Sequence, residues 1–125
     1  METSSAVASL FRFSDDTERV AAGTVIFRDG DPGDCMFVVR SGQIAIGIAG
    51  ATVVTVGPGG VVGELALVDT GLRSATATAV VETELVRVDA RKFQFLIQQH
   101  PFFAIEVMKV MAGRLRDMNA RLNSR

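Results

Sequence analysis

The sequence is poor in the residues that carry covalent and metal chemistry. Its 125 residues include one cysteine, Cys35, and one histidine, His100. A single cysteine cannot form an intramolecular disulfide bond, so cysteine usage does not fix the redox compartment. One cysteine and one histidine, far apart in the chain, favour neither a zinc site nor a Cys–His nucleophile. We therefore expect no metal, no cofactor and no catalytic residue, and we interpret Cys35 as a structural thiol.

The sequence also lacks a charge excess and a long apolar run. Its formal net charge is −1, from 13 Lys+Arg and 14 Asp+Glu, which argues against broad electrostatic binding to nucleic acid. No apolar run approaches the roughly 18 residues that span a bilayer. Residues 1–16 lack the basic start and cleavage site of a secretory signal. We expect a cytoplasmic protein that binds neither nucleic acid nor a membrane.

Apolar residues make up 48% of the sequence, which favours one packed domain over disorder. From Gly23 onward, short β-branched and aromatic runs end at glycine, aspartate or proline. These runs are TVIFRDG, CMFVVRSG, QIAIGIAG, TVVTVGPGG, SATATAVV and ETELVRVD. Their regular spacing predicts a small all-β sandwich or barrel. Residues 40–42 and 49–50 predict hairpin turns between neighbouring strands.

Helical patterns flank these strands. Residues 4–13 predict a short helix that Phe11 and Phe13 anchor to the body of the domain, and residues 15–22 predict a turn of helix or a loop. Asp89 predicts the N-cap of a helix over residues 90–99.

Pro101 then predicts the start of a second helix, because proline is tolerated at a first helical position. Apolar residues follow at three- and four-residue spacing, at Phe102, Ile105, Met108, Met111, Ala112, Leu115 and Met118. This seam predicts packing against the core or a partner helix. Its far end could instead close over a ligand or pair with a second copy.

The motif GELALVDTGLRSATA, at residues 63–77, is the most informative stretch of the sequence. Gly63 lacks a side chain where the backbone must approach another group closely. Arg73 offers a planar, permanently charged fork that suits phosphate. A carboxylate at Glu64 would repel phosphate, so we expect it to accept hydrogen bonds from hydroxyls such as those of ribose. The alternative is a structural ion pair between Glu64 and Arg73.

Two blocks of the sequence resemble the cyclic nucleotide-binding domain of the catabolite activator protein and of the regulatory subunit of cAMP-dependent protein kinase. The first block is the strand–turn–strand pattern over residues 23–42. The second is GELAL at residues 63–67 together with RSA at residues 73–75. The resemblance covers about residues 11–122. It implies a mainly-β domain, a jelly-roll-like β-roll or double-stranded β-helix with an N-terminal helix and C-terminal helices.

The same resemblance implies the order of the parts. Residues 1–22 would form the N-terminal helical segment and residues 23–89 the β-roll, with a phosphate-binding cassette at residues 63–75. Residues 90–125 would form the C-terminal helices.

The resemblance also implies roles for individual residues. Arg73 would hold the exocyclic oxygens of a cyclic phosphate, and Glu64 would accept a hydrogen bond from the ribose 2′-hydroxyl. The hydroxyl of Ser74, with backbone N–H groups near Leu65 and Ala66, would complete the phosphate site.

By the same resemblance, Gly63 and Ala75 occupy small positions where the backbone approaches the ligand. The base would lie against the roll near Val53, Val61 and Val62, and under the last helix. The ligand would be cyclic AMP or, as the second candidate, cyclic GMP.

Three positions bear on the ligand. Leu72 stands where a proline usually precedes the arginine, which leaves that turn less restricted. Val62 replaces a bulky aromatic residue, so the base pocket could be roomier. The hydroxyl of Ser74 is compatible with cyclic AMP but could also serve cyclic GMP.

These features predict a non-enzymatic receptor for a cyclic nucleotide that signals by moving its C-terminal helices. Its partner would be a downstream effector protein or a second copy bound through the last helix. The alternative is a degenerate β-roll that binds another effector or a protein partner.

Two charged groups have simpler interpretations. The acidic turn over residues 29–34 suggests calcium but lacks the closing glutamate of a calcium loop, so we expect a hairpin turn with solvated acids. Four arginines near the end of the chain could suggest DNA binding, namely Arg114, Arg116, Arg121 and Arg125. We expect them to be solvated and to complement the helix dipole.

Overall fold

The computed structural model describes residues 1–69 and 71–123, so Thr70 of the predicted cassette and Arg125 of the arginine group lie outside the described residues. The elements, in chain order, are α1 (Ser5–Leu10), β1 (Thr17–Val20), β2 (Val25–Phe27), β3 (Cys35–Ser41), β4 (Ile44–Ile48), β5 (Ala51–Val56), β6 (Val61–Val62), α2 (Glu64–Val68), β7 (Thr76–Ala79), β8 (Thr83–Asp89), α3 (Ala90–Gln99) and α4 (Pro101–Asn123).

The strands form two four-stranded sheets whose named strand pairs are all antiparallel. Sheet I has the order β1-β8-β3-β6, and sheet II has the order β2-β7-β4-β5. Residues of both sheets meet in one buried apolar cluster. This cluster contains Phe27, Cys35, Phe37, Val39, Ile44, Ile46, Val56, Val62, Ala75, Ala77, Ala79 and Leu85. The predicted mainly-β roll with helices at both ends is confirmed.

A second apolar cluster lies between the outer face of sheet I and the helices. Side chains alternate between the two faces of a strand. Phe37 and Val39 therefore join the cluster between the sheets, whereas Met36 and Val38 join the helical one. The remaining members of the helical cluster are Val7, Phe11, Val61, Val86, Val88, Leu96, Phe103 and Val107. Because both faces of β3 are covered, its sequence is a continuous apolar run rather than an alternating one.

The helix starts follow from local capping. The Ser4 side chain accepts a hydrogen bond from the backbone N–H of Val7 at the start of α1. Asp89 accepts one from the N–H of Lys92 at 2.8 Å, which confirms the predicted N-cap of α3. Each cap satisfies an N–H group that has no partner within its helix. Within the part of the chain that the structure describes, no helix is long and apolar enough to cross a membrane.

Two local predictions differ from the structure, and one strand was not predicted. Residues 17–20 form strand β1, which pairs with β8, rather than a turn of helix or a loop. Phe11 is buried as expected, but Phe13 is 83% exposed because α1 ends at Leu10 and the chain turns outward. The two-residue strand β6 was not predicted, because two valines carry too little pattern to distinguish a strand.

The connections and the last helix also differ in part. Residues 49–50 form the predicted hairpin turn between β4 and β5. Residues 40–42, by contrast, lead from β3 in sheet I to β4 in sheet II, so they do not join paired strands. On α4 the buried residues are Phe103 and Val107. Most of the predicted seam is exposed, namely Phe102, Ile105, Met108, Ala112, Leu115 and Met118.

Candidate functional site

A cavity of about 210 Å³ opens between the short helix α2, sheet II and α4. Its lining residues are Phe27, Ile46, Ile48, Val53, Val54, Gly63, Glu64, Leu65, Ala66, Arg73, Ser74, Ala75, Arg114 and Met118. Eight of the ten residues predicted from the sequence line it. The exceptions are Val61 and Val62, which are buried in β6 and belong to the two apolar clusters instead.

Gly63 makes the turn from β6 into α2. Its φ is +79°, in the left-handed region that glycine adopts without a steric penalty. A Cβ atom at this position would also collide with Nη1 of Arg73. Both the backbone conformation and the space therefore require glycine here, which supports the predicted close approach at this position.

The acidic turn holds the segment that carries Arg73. Arg73 donates its backbone N–H to the carbonyl of Asp31 at 2.8 Å, and its own carbonyl accepts from the N–H of Gly30 at 2.8 Å. Pro32 and Leu72 form an isolated antiparallel bridge, which lies between the Arg73–Asp31 bond and a bond from the N–H of Gly33 to the carbonyl of Gly71 at 2.7 Å. Leu72 therefore lies in a backbone bridge, although it lacks the ring that would restrict its φ.

Among the described residues, no group of three or more His, Cys, Asp or Glu side chains could hold a metal ion.

The guanidinium of Arg73 is a buried cation in the wall of the cavity. The residue is 6% exposed. Nη1 donates to the carbonyl of Cys35 at 2.6 Å and to that of Gly63 at 3.2 Å, and the guanidinium carbon lies 4.3 Å from the ring centroid of Phe27. Within residues 1–69 and 71–123, no carboxylate forms an ion pair with Arg73. A buried positive charge without a counter-ion favours binding of an anion.

Glu64 does not pair with Arg73, so the alternative of a structural ion pair between them is wrong. Instead Nη1 of Arg114 donates to Oε1 of Glu64 at 2.5 Å. Glu64 is 1% exposed, and its second oxygen, Oε2, is buried and has no hydrogen-bond partner. A buried carboxylate oxygen without a donor is costly. The cavity therefore contains an acceptor for a hydroxyl or an N–H group.

Arg114 is the main residue of the site that the sequence did not predict. Its Nη2 donates to Oε1 of Glu2 at 2.9 Å and to the carbonyl of Val61 at 2.8 Å, whereas its Nε is buried without a partner. It lies in the middle of α4 rather than at a solvated helix end. The helical spacing could have indicated this position. Arg114 lies seven residues after Val107, so it is on the same face of α4 as the buried residues Phe103 and Val107.

The family of the chain follows from comparison with known proteins. The family model of the cyclic nucleotide-binding domain matches residues 17–100. The chain belongs to this family. The resemblance predicted from the two sequence blocks is therefore confirmed, and so is the regulatory character of the domain.

Relatives with curated descriptions show the same domain in different proteins. Lysophospholipase nte1 of Aspergillus fumigatus is 37% identical over 108 residues, which cover 82% of this chain and 7% of that protein. The cyclic AMP receptor protein of Thermus thermophilus is 35% identical over 106 residues, which cover 81% of this chain and 49% of that protein. This chain therefore spans less than half the length of either relative.

The fold agrees with a solved structure. The crystal structure of the Thermus thermophilus catabolite activator protein matches with a TM-score of 0.76 at 30% identity, over 96% of this chain and 59% of that one. The agreement extends over the sheets and the flanking helices of this domain.

Proposed function

We propose that this domain is a receptor for a 3′,5′-cyclic purine nucleotide, with cyclic AMP as the first candidate. One observation carries the proposal: a buried cation without a counter-ion and a buried carboxylate with a free oxygen line the same cavity. A cyclic nucleotide offers one anionic phosphate and one free ribose hydroxyl. The phosphate would supply the counter-ion that Arg73 lacks, and the hydroxyl would supply the donor that Glu64 lacks.

The phosphate would lie against Arg73. The carbonyls of Cys35 and Gly63 and the ring of Phe27 hold the guanidinium in place before any ligand arrives. Preorganised donors bind an anion without first reordering a flexible side chain. The hydroxyl of Ser74, which also lines the cavity, is the second donor that we propose for the phosphate.

The ribose 2′-hydroxyl would donate to Oε2 of Glu64. This oxygen lacks a donor, whereas Nη1 of Arg114 already donates to Oε1. Arg114 would hold the carboxylate in place rather than contact the hydroxyl itself.

The base would occupy the apolar part of the cavity. Its wall consists of Ile46, Ile48, Val53, Val54 and Met118. These side chains can pack against either purine but form no hydrogen bonds with its edge. Cyclic AMP ranks first because a relative that is 35% identical is named a cyclic AMP receptor protein. Cyclic GMP is the second candidate, because the Ser74 hydroxyl could reach a guanine.

Signalling would depend on α4. This helix contributes Arg114 and Met118 to the cavity wall, and Arg114 ties it to Glu64. A ligand that contacts these residues would favour one placement of α4 over others. We propose a regulatory rather than catalytic role on this basis. A cytoplasmic location stays a prediction.

A second copy of the chain is the partner that we propose for α4. Six exposed residues, called the α4 stripe, recur at steps of three and four: Ile105, Met108, Ala112, Leu115, Asn119 and Leu122. This is the a/d pattern of a coiled coil, and an asparagine at an a position favours a two-stranded pairing in one register. A separate effector protein is the other possible partner.

Isothermal titration calorimetry with cyclic AMP and cyclic GMP tests the binding proposal. We expect Arg73→Ala to weaken binding about 10- to 100-fold, since a hydrogen bond to a charged group contributes about 1.5–3 kcal/mol. Arg19→Ala is the matched control, because that exposed arginine pairs with Glu82 on the surface, and its affinity should equal that of the wild type.

Two results would contradict the proposal. Equal affinity of wild type and Arg73→Ala would remove Arg73 from the site. If neither nucleotide binds the wild type or raises its melting temperature at millimolar concentration, the domain is instead a β-roll that binds another effector or a protein partner.

A further inference from the structure

The first four residues of the chain lie along β5 and the turn that follows it. The N–H of Glu2 donates to the carbonyl of Thr55 at 2.8 Å, and the carbonyl of Glu2 accepts from the N–H of Gly57 at 2.7 Å. Ser4 donates its N–H to the carbonyl of Pro58 at 3.3 Å. These backbone bonds hold residues 1–4, here called the N-terminal segment, at a defined position beside sheet II.

The Gly-Pro-Gly-Gly turn at residues 57–60 leaves room for this segment. A Cβ atom at Gly57 would lie 2.9 Å from the sulfur of Met1, and one at Gly60 would lie 3.0 Å from the carbonyl oxygen of Glu2. A Cβ atom at Gly59 would collide with the carbonyl of Ser4. Gly59 therefore does more than end β5, because any larger residue there would displace the backbone of the N-terminal segment.

The segment directs one charged side chain at the ligand site. Oε1 of Glu2 lies 2.9 Å from Nη2 of Arg114, and the two side chains are 24% and 18% exposed. Arg114 thus pairs with two carboxylates: Glu2, from the N-terminal segment, and Glu64, from the cavity wall. The Glu2 contact joins the start of the chain to the middle of α4.

This double pairing also fixes the carboxylate of Glu64. A guanidinium is planar and rigid. Because Glu2 and the carbonyl of Val61 hold Nη2, Nη1 is fixed on Oε1 of Glu64. The second carboxylate oxygen, Oε2, is left without a protein donor.

We infer that Glu2 is a positioning residue for recognition of the ligand's ribose hydroxyl. It holds the Arg114 guanidinium so that Nη1 stays on Oε1 of Glu64 and Oε2 stays oriented to accept from that hydroxyl. Glu2 itself does not touch the ligand. The inference rests on the proposed function, since it requires a ligand with a 2′-hydroxyl in the cavity.

The test compares cyclic AMP with 2′-deoxy cyclic AMP by calorimetry. The ratio of the two dissociation constants measures recognition of the hydroxyl alone, because the phosphate and base are the same. Glu2→Gln keeps the side-chain length and the backbone bonds to Thr55 and Gly57. Removal of its negative charge should change the affinity for both anionic ligands alike, so the ratio cancels that effect.

We expect the wild type to prefer the ribonucleotide about tenfold or more, the loss expected for a hydrogen bond to a charged group. Glu2→Gln should reduce this preference by about threefold or more, and Glu64→Gln should nearly abolish it. The matched control is Glu106→Gln, which removes the same charge from α4 at a residue that pairs with Lys109. It should keep the wild-type ratio.

Each other outcome overturns the inference in a distinguishable way. An unchanged ratio in Glu2→Gln, with both affinities reduced alike, would give Glu2 a merely structural role. If Glu106→Gln reduces the preference for the ribonucleotide as much as Glu2→Gln does, the change is a general effect of charge. A wild-type ratio near one would mean that the hydroxyl is not recognised, although a cyclic nucleotide binds. A wild type that binds neither nucleotide would overturn the proposed function as well.

Discussion

Replacement of Arg114 by leucine should destabilise the domain strongly even without a ligand. Glu64 is 1% exposed, and its ion pair with Arg114 joins Nη1 and Oε1 at 2.5 Å. Among the described residues, Glu64 forms no other ion pair. Loss of one partner of a buried pair typically costs about 3–5 kcal/mol, because the remaining charge stays buried without compensation.

Replacement of the other partner, Glu64→Leu, should lower the free energy of unfolding by less than Arg114→Leu does. The difference comes from Glu2. In Glu64→Leu, Arg114 keeps its partly exposed pair with Glu2 and its bond to the carbonyl of Val61. We therefore expect less than half the loss seen in Arg114→Leu. The double variant should recover about 2 kcal/mol or more relative to Arg114→Leu, because apolar replacement of a whole buried pair is often close to neutral.

Urea unfolding followed by circular dichroism measures these free energies for a single domain of this size. A loss of 3–5 kcal/mol corresponds to a melting temperature lower by about 12–20 °C, at about 4 °C per kcal/mol. Arg19→Leu is the control, because its ion pairs are exposed and should contribute at most about 1 kcal/mol. If Arg114→Leu costs no more than Arg19→Leu, the buried pair does not stabilise the domain as its geometry implies.

Two further substitutions test the site and the surface of α4. A Cβ atom at Gly33 would collide with the Arg73 guanidinium, so Gly33→Ala should weaken cyclic AMP binding about tenfold or more. Calorimetry measures this, and an unchanged affinity would mean that the guanidinium can move without loss. Leu115→Glu places a charge in the α4 stripe and should convert a dimer into a monomer in sedimentation velocity. Phe13→Glu, at another exposed apolar position that lies off the helix, is its control. A wild-type monomer would contradict the dimer and leave a separate effector protein as the partner of α4.

The residues of the site that were predicted from the sequence are those that lie close together along the chain. Gly63, Glu64 and Arg73 lie within eleven positions of the chain, and each has a chemical property that is visible in one residue: no side chain, a carboxylate, or a fixed positive charge. The structure brings all three to one cavity. Their direct pairing was the wrong alternative, because the partner of Glu64 comes from α4.

Val61 and Val62, the two predicted residues that do not line the cavity, show the limit of local reasoning. Val61 and Val62 are adjacent in a two-residue strand, so their side chains point to opposite faces of sheet I. One packs toward the helices and the other between the sheets. Phe27, Ile46, Ile48 and Val54 line the cavity instead, because the pairing of β2, β7, β4 and β5 brings them there.

The sequence alone determined the strand-rich class, the Asp89 cap and the charged and small residues of the candidate site, because propensity, capping and charge act within a few residues. Only the tertiary structure decided which atoms remain without partners. Arg114 lies 50 positions from Glu64 and 112 from Glu2, and no local pattern links such distant residues. Packing of α4 and the N-terminal segment against the roll brings them together. That packing leaves Oε2 of Glu64 and Nε of Arg114 buried without a protein partner.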